Sequence, residues 1–294
     1  MQDDSISLNK FISDTGYCSR READELIRQG RVILNNELAQ LGNRYTPGDI
    51  VEVDGSYLSN GKPKKEKKVY LAFNKPAGIT CTTDTNIAGN IITYINYPKR
   101  IFPIGRLDKD SEGLIFLTND GDIVNKILRA SNEHEKEYIV RVNKSITPYF
   151  LEKMSKGVPI LDTVTLPCKI SKLGNHTFKI VLKQGLNRQI RRMCEYFEFE
   201  VESLKRVRIM NIALDKIALG KWRYLSDVEI AQIESMVKDS SKTALKPIKK
   251  AKPVEAKNAK KAKLDIPKEA FELPSKSKKP KQSSFKEYRK NKKR

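Results

Sequence analysis

The stretch PIGRLDKDSEGLIFLTNDG, residues 103–121, gathers Asp108, Asp110 and Glu112 between Gly105 and Gly113 and then enters an apolar run. Three acids in so short a span stand out in a chain with 57 Lys and Arg against 36 Asp and Glu, a formal net charge of +21. A solvated turn between two strands accounts for them on physical grounds alone. The other reading is that one carboxylate does chemistry. The run GLIFLT that follows is a strand by length and composition.

Outward from this stretch the same grammar continues. VYLAFNK (69–75) reads as a strand that breaks at Pro76-Ala77-Gly78, and EYIVRV (137–142) and TFKIVL (177–182) read as further strands. DIVNKILR (122–129) and LNRQIRRMCEYF (186–197) read as helices, the second with Ile190, Met193 and Cys194 on one face. Strands alternating with short helices over residues 69–238 predict an α+β domain with a mainly antiparallel sheet.

A separate module precedes it, at residues 5–55. Leu8, Phe11 and Ile12 have the spacing of one amphipathic helical turn, stopped by Gly16. Ser19 with Glu22 three residues on is a capping box, Ala23, Leu26 and Ile27 form the buried face, and Gly30 ends the helix. RVILNNELAQ reads as a hairpin about Asn35-Asn36, and TPGDIVEV as a turn and a strand. The polar, Lys-rich residues 56–68 read as a linker.

Residues 240–294 hold 20 Lys or Arg and 5 Asp or Glu, a net of +15. They have too few large apolar groups to offset the entropy of ordering, so the expectation is a disordered basic tail. It is either a solubilising segment or a non-specific RNA-binding arm. The charge balance as a whole points to a polyanionic partner.

No apolar stretch approaches the ~20 residues of a membrane span, and the first residues lack a secretory layout. Cys18, Cys81, Cys168 and Cys194 form no CxxC pair and cluster with neither His134 nor His176. Metal-ligand spacing is therefore absent, and free thiols in a cytoplasmic compartment are expected. No phosphate loop or dinucleotide fingerprint is present.

The first module closely resembles the alpha-L RNA-binding module of small-subunit ribosomal protein four, over about 50 residues. The resemblance places Arg20 and Arg21, in the first turn of the second helix, against RNA backbone. Such contacts position a protein without specifying sequence. Two solvated arginines are the plainer alternative.

GRLDKDSEGLIFLTNDG is very similar to the signature of RNA pseudouridine synthases, in the branch that modifies single uridines in small- and large-subunit ribosomal RNA. NKPAGI, HEKEYIV and QGLNRQIRRM follow the family's order around it, and with the first module the resemblance covers about 230 residues. It implies isomerisation of uridine to pseudouridine with no cofactor, acting as a monomer on large-subunit (23S) ribosomal RNA, with a transfer RNA stem-loop as a second candidate target.

The resemblance also assigns residues. The Asp of GRLD, here Asp108, is the family's catalytic carboxylate, and the last block places Arg191 as the cation that pairs with it. Arg188 and Arg192 would then hold RNA backbone; any Arg of that block could equally be a phosphate contact or a solvated group. Tyr138 matches the active-site Tyr, with a core Tyr as the alternative. Arg106 would fill the gap left by the extruded nucleotide, and extrusion costs a few kcal/mol. Leu204 would lie under the uracil ring or simply in the core. Two rival readings stay open: a non-catalytic RNA-binding or ribosome assembly protein on the same fold, and a sister enzyme acting on transfer RNA or the small subunit.

Overall fold

The computed structural model describes residues 5–59, 67–128 and 134–238. The basic tail and residues 60–66 of the expected linker lie outside them.

The first module runs β1 (Ile6–Ser7), α1 (Leu8–Asp14), α2 (Arg20–Arg28), β2 (Val32–Leu34), β3 (Glu37–Leu38), β4 (Arg44–Tyr45), β5 (Val51–Val53) and β6 (Ser56–Ser59). Its local signals act as expected. Ser19 accepts from the Glu22 N–H at 3.1 Å while the Glu22 carboxylate accepts from the Ser19 N–H at 2.6 Å, closing the capping box. Asn35 and Asn36 both take positive φ, 52° and 65°, the type I′ turn that fits the right-handed twist of a hairpin. Leu8, Phe11, Ile12, Ala23, Ile27 and Val32 make the core, with Phe11 stacked on Tyr45 at 3.7 Å.

One boundary needs correcting. Residues 56–59, expected in the linker, form β6 and pair antiparallel with β5. The segment is polar because it lies at the edge of the β3-β2-β5-β6 sheet, so it carries little apolar signal.

The second part runs β7 (Tyr70–Lys75), α3 (Ile91–Ile95), β8 (Phe102–Ile104), β9 (Glu112–Thr118), α4 (Gly121–Leu128), β10 (Lys136–Val142), α5 (Pro148–Ser155), β11 (Pro159–Ile160), β12 (Thr163–Val164) and β13 (Lys169–Gly174). It continues with β14 (Thr177–Leu182), α6 (Gln189–Tyr196), β15 (Val201–Ile209), β16 (Ile212–Ala213), β17 (Trp222–Tyr224) and α7 (Asp227–Met236). Its main sheet has the order β13-β14-β10-β15-β9-β7-β17, with β8 beside β9 and β16 beside β15. All its pairings are antiparallel except one, where β9 and β15 run parallel, Glu112 opposite Lys205 and Gly113 opposite Arg206. This is the mainly antiparallel α+β domain expected.

The parallel seam organises the site. β9, β7 and β8 form one half of the sheet, covered on its two faces by separate apolar clusters. β10, β14 and β15 form the other, packed under α5 and α6 through Phe150, Phe178, Ile190, Met193 and Cys194. Each large apolar side chain buried there contributes about 1.5–3 kcal/mol. At the seam Gly113 has φ +108°, and a Cβ on it would run into the Arg206 backbone. Only glycine lets the two strands approach this closely.

Candidate active site

The loop between β8 and β9 carries Asp108 and Asp110 to the end of the sheet at the seam, where β9 opens on Glu112. It is held from inside. Lys75 is fully buried, and its ammonium donates to the carbonyls of Pro76 at 2.8 Å, Ile79 at 2.8 Å and Lys109 at 3.4 Å. The Gly78 N–H adds a bond to the Lys109 carbonyl at 2.7 Å. Thus NKPAGI and GRLDKD, about thirty residues apart in sequence, are stapled together by one ammonium group. Burial lowers the Lys75 pKa, and three carbonyls satisfy the cation where no carboxylate does. The Leu107 N–H donates to Cys81 Sγ at 3.4 Å, and the Leu107 side chain is buried, so Asp108 faces outward from an anchored neighbour.

Asp108 lines a cleft of about 840 Å³. Arg106, Tyr138, Arg188 and Leu204 share its lining, although they come from four separate stretches of sequence. Arg106 is exposed at the cleft, where a side chain can reach a nucleic acid. Tyr138 is half-buried on β10, directly opposite Arg206 on β15. Leu204 is 5% exposed, so it is both a core residue and part of the cleft wall.

Asp108 and Arg188 form the acid–base contact of the cleft, Oδ2 to Nη1 at 3.8 Å, with both side chains partly solvated. The partner expected from sequence, Arg191, does something else. Its guanidinium donates to the Val201 carbonyl at 3.1 Å and to the Asp110 carbonyl at 3.3 Å, and its buried Nε has no partner. The reason is local. Arg188 caps α6 in a left-handed conformation, φ 49° and ψ 34°, which a non-glycine residue adopts at a cost. From the cap its side chain turns into the cleft. Arg191, one turn on, lies against the loop that carries Asp108 and ties it to β15. Arg192 bonds to Asn187, to its carbonyl at 3.2 Å and its Oδ1 at 3.4 Å, and does not line the cleft.

Arg20 and Arg21 are exposed in the first turn of α2, and Arg20 donates to Ser7 Oγ at 3.1 Å. They belong to the first module and not to the cleft.

Two cations of the cleft carried no signal in the sequence. Lys136 is 8% exposed and Arg206 is 4% exposed, and both line the cavity. Burial, with the neighbouring Arg206 adding to it, pushes the Lys136 ammonium down to about 8. The Lys136 Nζ donates to the His134 carbonyl at 3.0 Å and Arg206 Nε to the Leu114 carbonyl at 2.6 Å. Among the described residues no group of three or more His, Cys, Asp or Glu gathers as metal ligands would.

Comparison with known proteins accounts for both parts. Residues 69–196 match the family described as RNA pseudouridylate synthase, and residues 7–51 match the S4 domain. The dual-specificity RNA pseudouridine synthase RluF of Escherichia coli K12 is 54% identical over 254 residues, covering 86% of this chain and 86% of that one. The ribosomal large subunit pseudouridine synthase B of Bacillus subtilis is 34% identical, covering 81% of this chain and 98% of that one. Among solved structures, a crystal structure of a pseudouridylate synthase is similar with a TM-score of 0.58 and 26% identity, covering 78% of this chain and 99% of that chain. The chain belongs to the RNA pseudouridylate synthase family, with an S4 domain ahead of its synthase domain. Its reaction is the isomerisation of uridine to pseudouridine in RNA.

Proposed function

We propose that this enzyme isomerises a uridine of large-subunit ribosomal RNA, with a transfer RNA stem-loop as a second substrate, and that Asp108 carries the chemistry. The support for the substrates is the 54% identity, over most of both chains, to a relative named for dual specificity, beside the 34% identity to one named for the large ribosomal subunit. The support for the site is a single observation: the cleft at the sheet seam brings Tyr138 and Arg188, from distant stretches, to Arg106 and Asp108.

In this reading the target nucleotide leaves the RNA stack and its base enters the cleft, with Arg106 taking its place in the helix. The N1–C1′ bond breaks and its electron pair stays on the base. Asp108 either bonds to C1′ or takes the C2′ proton to give a glycal, two roles that carboxylates fill in sugar chemistry. The base turns, and C5 bonds to C1′ as the Asp108–C1′ bond breaks or as Asp108 returns the proton to C2′; the C5 proton then leaves and N1 gains one, so nothing is consumed. Tyr138 stacks on the base and its hydroxyl assists loss of the C5 proton. Arg188 positions the Asp108 carboxylate through their 3.8 Å contact. Arg191 fixes the loop. Arg20 and Arg21, at a capped helix start where N–H groups and the dipole also attract anions, hold RNA backbone.

The enzyme works as a cytoplasmic monomer in this account. Among the described residues no helix is long and apolar enough to cross a membrane. The test is to map pseudouridine in total ribosomal and transfer RNA from cells with and without the gene. Loss of a single large-subunit site, with or without a transfer RNA site, is the expected result. An unchanged map would reject the substrate assignment.

A further inference from the structure

Lys136 and Arg206 present a physical problem. Both are at least nine-tenths buried, both line the same cleft, and each bears a positive charge in the other's field. Among the described residues, neither has a carboxylate within ion-pair distance. Each finds a backbone carbonyl, but the Arg206 Nη2 is buried with no hydrogen-bond partner at all. A buried donor without a partner is costly, and a buried unpaired charge more so. An Arg needed only to strap β9 to β15 would be served by its Nε bond to Leu114.

What these two cations lack is an anion within reach, and the reaction makes one in the cleft. When the N1–C1′ bond breaks, both electrons remain with the uracil, and the negative charge spreads over N1, O2 and O4. This holds whether Asp108 attacks C1′ or takes the C2′ proton. We propose that Lys136 and Arg206 form a cationic floor that stabilises the detached uracil anion, lowering the barrier to N1–C1′ cleavage. The floor binds the leaving base and not an RNA phosphate. Tyr138 sits between the two in the fold, two residues from Lys136 on one face of β10 and cross-strand from Arg206. A base stacked on Tyr138 would thus carry its carbonyl edge toward both cations. A charge interaction in such a water-poor site is far stronger than in water, and it grows as charge develops on the base. The base gives up that charge as C5 bonds to C1′; the C5 proton then leaves as N1 gains one, and the floor releases a neutral product.

This inference rests on the reading of the cleft as the active site. The experiment uses the full chain and RNA containing either uridine or 5-fluorouridine at the target. Fluorine withdraws electrons and makes the base a better leaving group. Single-turnover cleavage of the N1-linked nucleoside is followed at saturating RNA, with Kd measured in parallel. Lys136→Gln keeps one donor for the His134 carbonyl and removes the charge. It should cleave uridine on the order of 100-fold more slowly, the cost of losing one such donor, with Kd within about threefold of the unaltered enzyme, since no phosphate contact is lost. On 5-fluorouridine its deficit should shrink by roughly tenfold, because a base that itself stabilises the developing charge needs the cation less. Arg206→Lys, which keeps charge but loses the unpartnered donor, should show the same trend with a smaller deficit, and it stands in if Lys136→Gln fails to fold by circular dichroism. An equal deficit on both substrates would overturn the inference in favour of a structural role. A Kd effect with an unchanged rate would overturn it in favour of a phosphate contact. Asp108→Asn run alongside separates the two levels: if it keeps its rate, the reading of the cleft itself falls; if it is inactive while Lys136→Gln is normal, only the cationic floor falls.

Discussion

Arg188 Nη1 lies 3.8 Å from Asp108 Oδ2, and it reaches that place from the left-handed N-cap of α6. The two arginines of this block therefore divide their work. Arg188 faces the carboxylate, and Arg191 braces the loop beneath it through the Asp110 and Val201 carbonyls. Arg188→Gln should lower the single-turnover rate by roughly tenfold at saturating RNA, because the carboxylate loses the charged partner that positions it. Arg191→Gln should in addition lower stability by about 1 kcal/mol, from the loss of its bonds to the Val201 and Asp110 carbonyls. Denaturant unfolding and single-turnover rates of the two variants check this. An unchanged single-turnover rate in Arg188→Gln would contradict the positioning role.

Lys75 staples two distant segments with one buried ammonium. Lys75→Met fills much the same volume but leaves the Pro76, Ile79 and Lys109 carbonyls short of a donor. A loss of about 2–4 kcal/mol is expected, from one or two stranded acceptors. Activity should fall further than stability alone explains, because the loop that aims Asp108 loses its anchor. Urea unfolding, with activity measured well below the transition, tests both halves; full activity in a destabilised variant would separate the staple from the site.

Stability should respond to acid through α7. Arg223 grips Glu229 with two bonds, 2.7 and 2.8 Å, and the Ser226 capping box adds a third partner, so the Glu229 carboxyl is held down at about 2. A folded-state value below the unfolded one means that the contribution is complete above about pH 4.5 and is lost as pH falls toward about 2. Glu229 is partly solvated, and screening keeps the effect small. Melting temperatures of the unaltered protein and Glu229→Gln should differ at pH 6 and converge by about pH 2. A gap that stays constant across this range would place the effect in packing rather than in charge.

The two parts of the chain were legible to different degrees. The S4 module announces itself locally: a capping box, glycine stops and an Asn-Asn turn each fix one piece of backbone within four residues, and each is where the sequence places it. In the synthase part the strands with plain apolar runs were readable. β15 was not, because VESLKRVRI mixes charges with apolar groups and its pairing with β10 is interrupted by register shifts. Asp108, Tyr138, Arg106 and Leu204 came from the family resemblance, and the fold brings them into one cleft. The pairing of Asp108 with Arg188 depends on a left-handed cap that nothing in LNRQIRR signals. Lys75, Lys136 and Arg206 were silent for a common reason. A buried cation and a surface cation are the same letter, and only the tertiary structure separates them.

The most direct measurement is pseudouridine formation by Asp108→Asn. Asn has nearly the shape of Asp, so the fold and RNA affinity should hardly change, apart from a small cost at the partly solvated Arg188 contact. It has no charge with which to attack C1′ or take a sugar proton. Asp110→Asn and Glu112→Gln, which share the turn but do not line the cleft, are the controls and should keep most activity. Asp108→Asn should bind ribosomal RNA normally and form no pseudouridine, while both controls modify the same uridine as the unaltered enzyme. Isomerisation by Asp108→Asn at near the normal rate would contradict this.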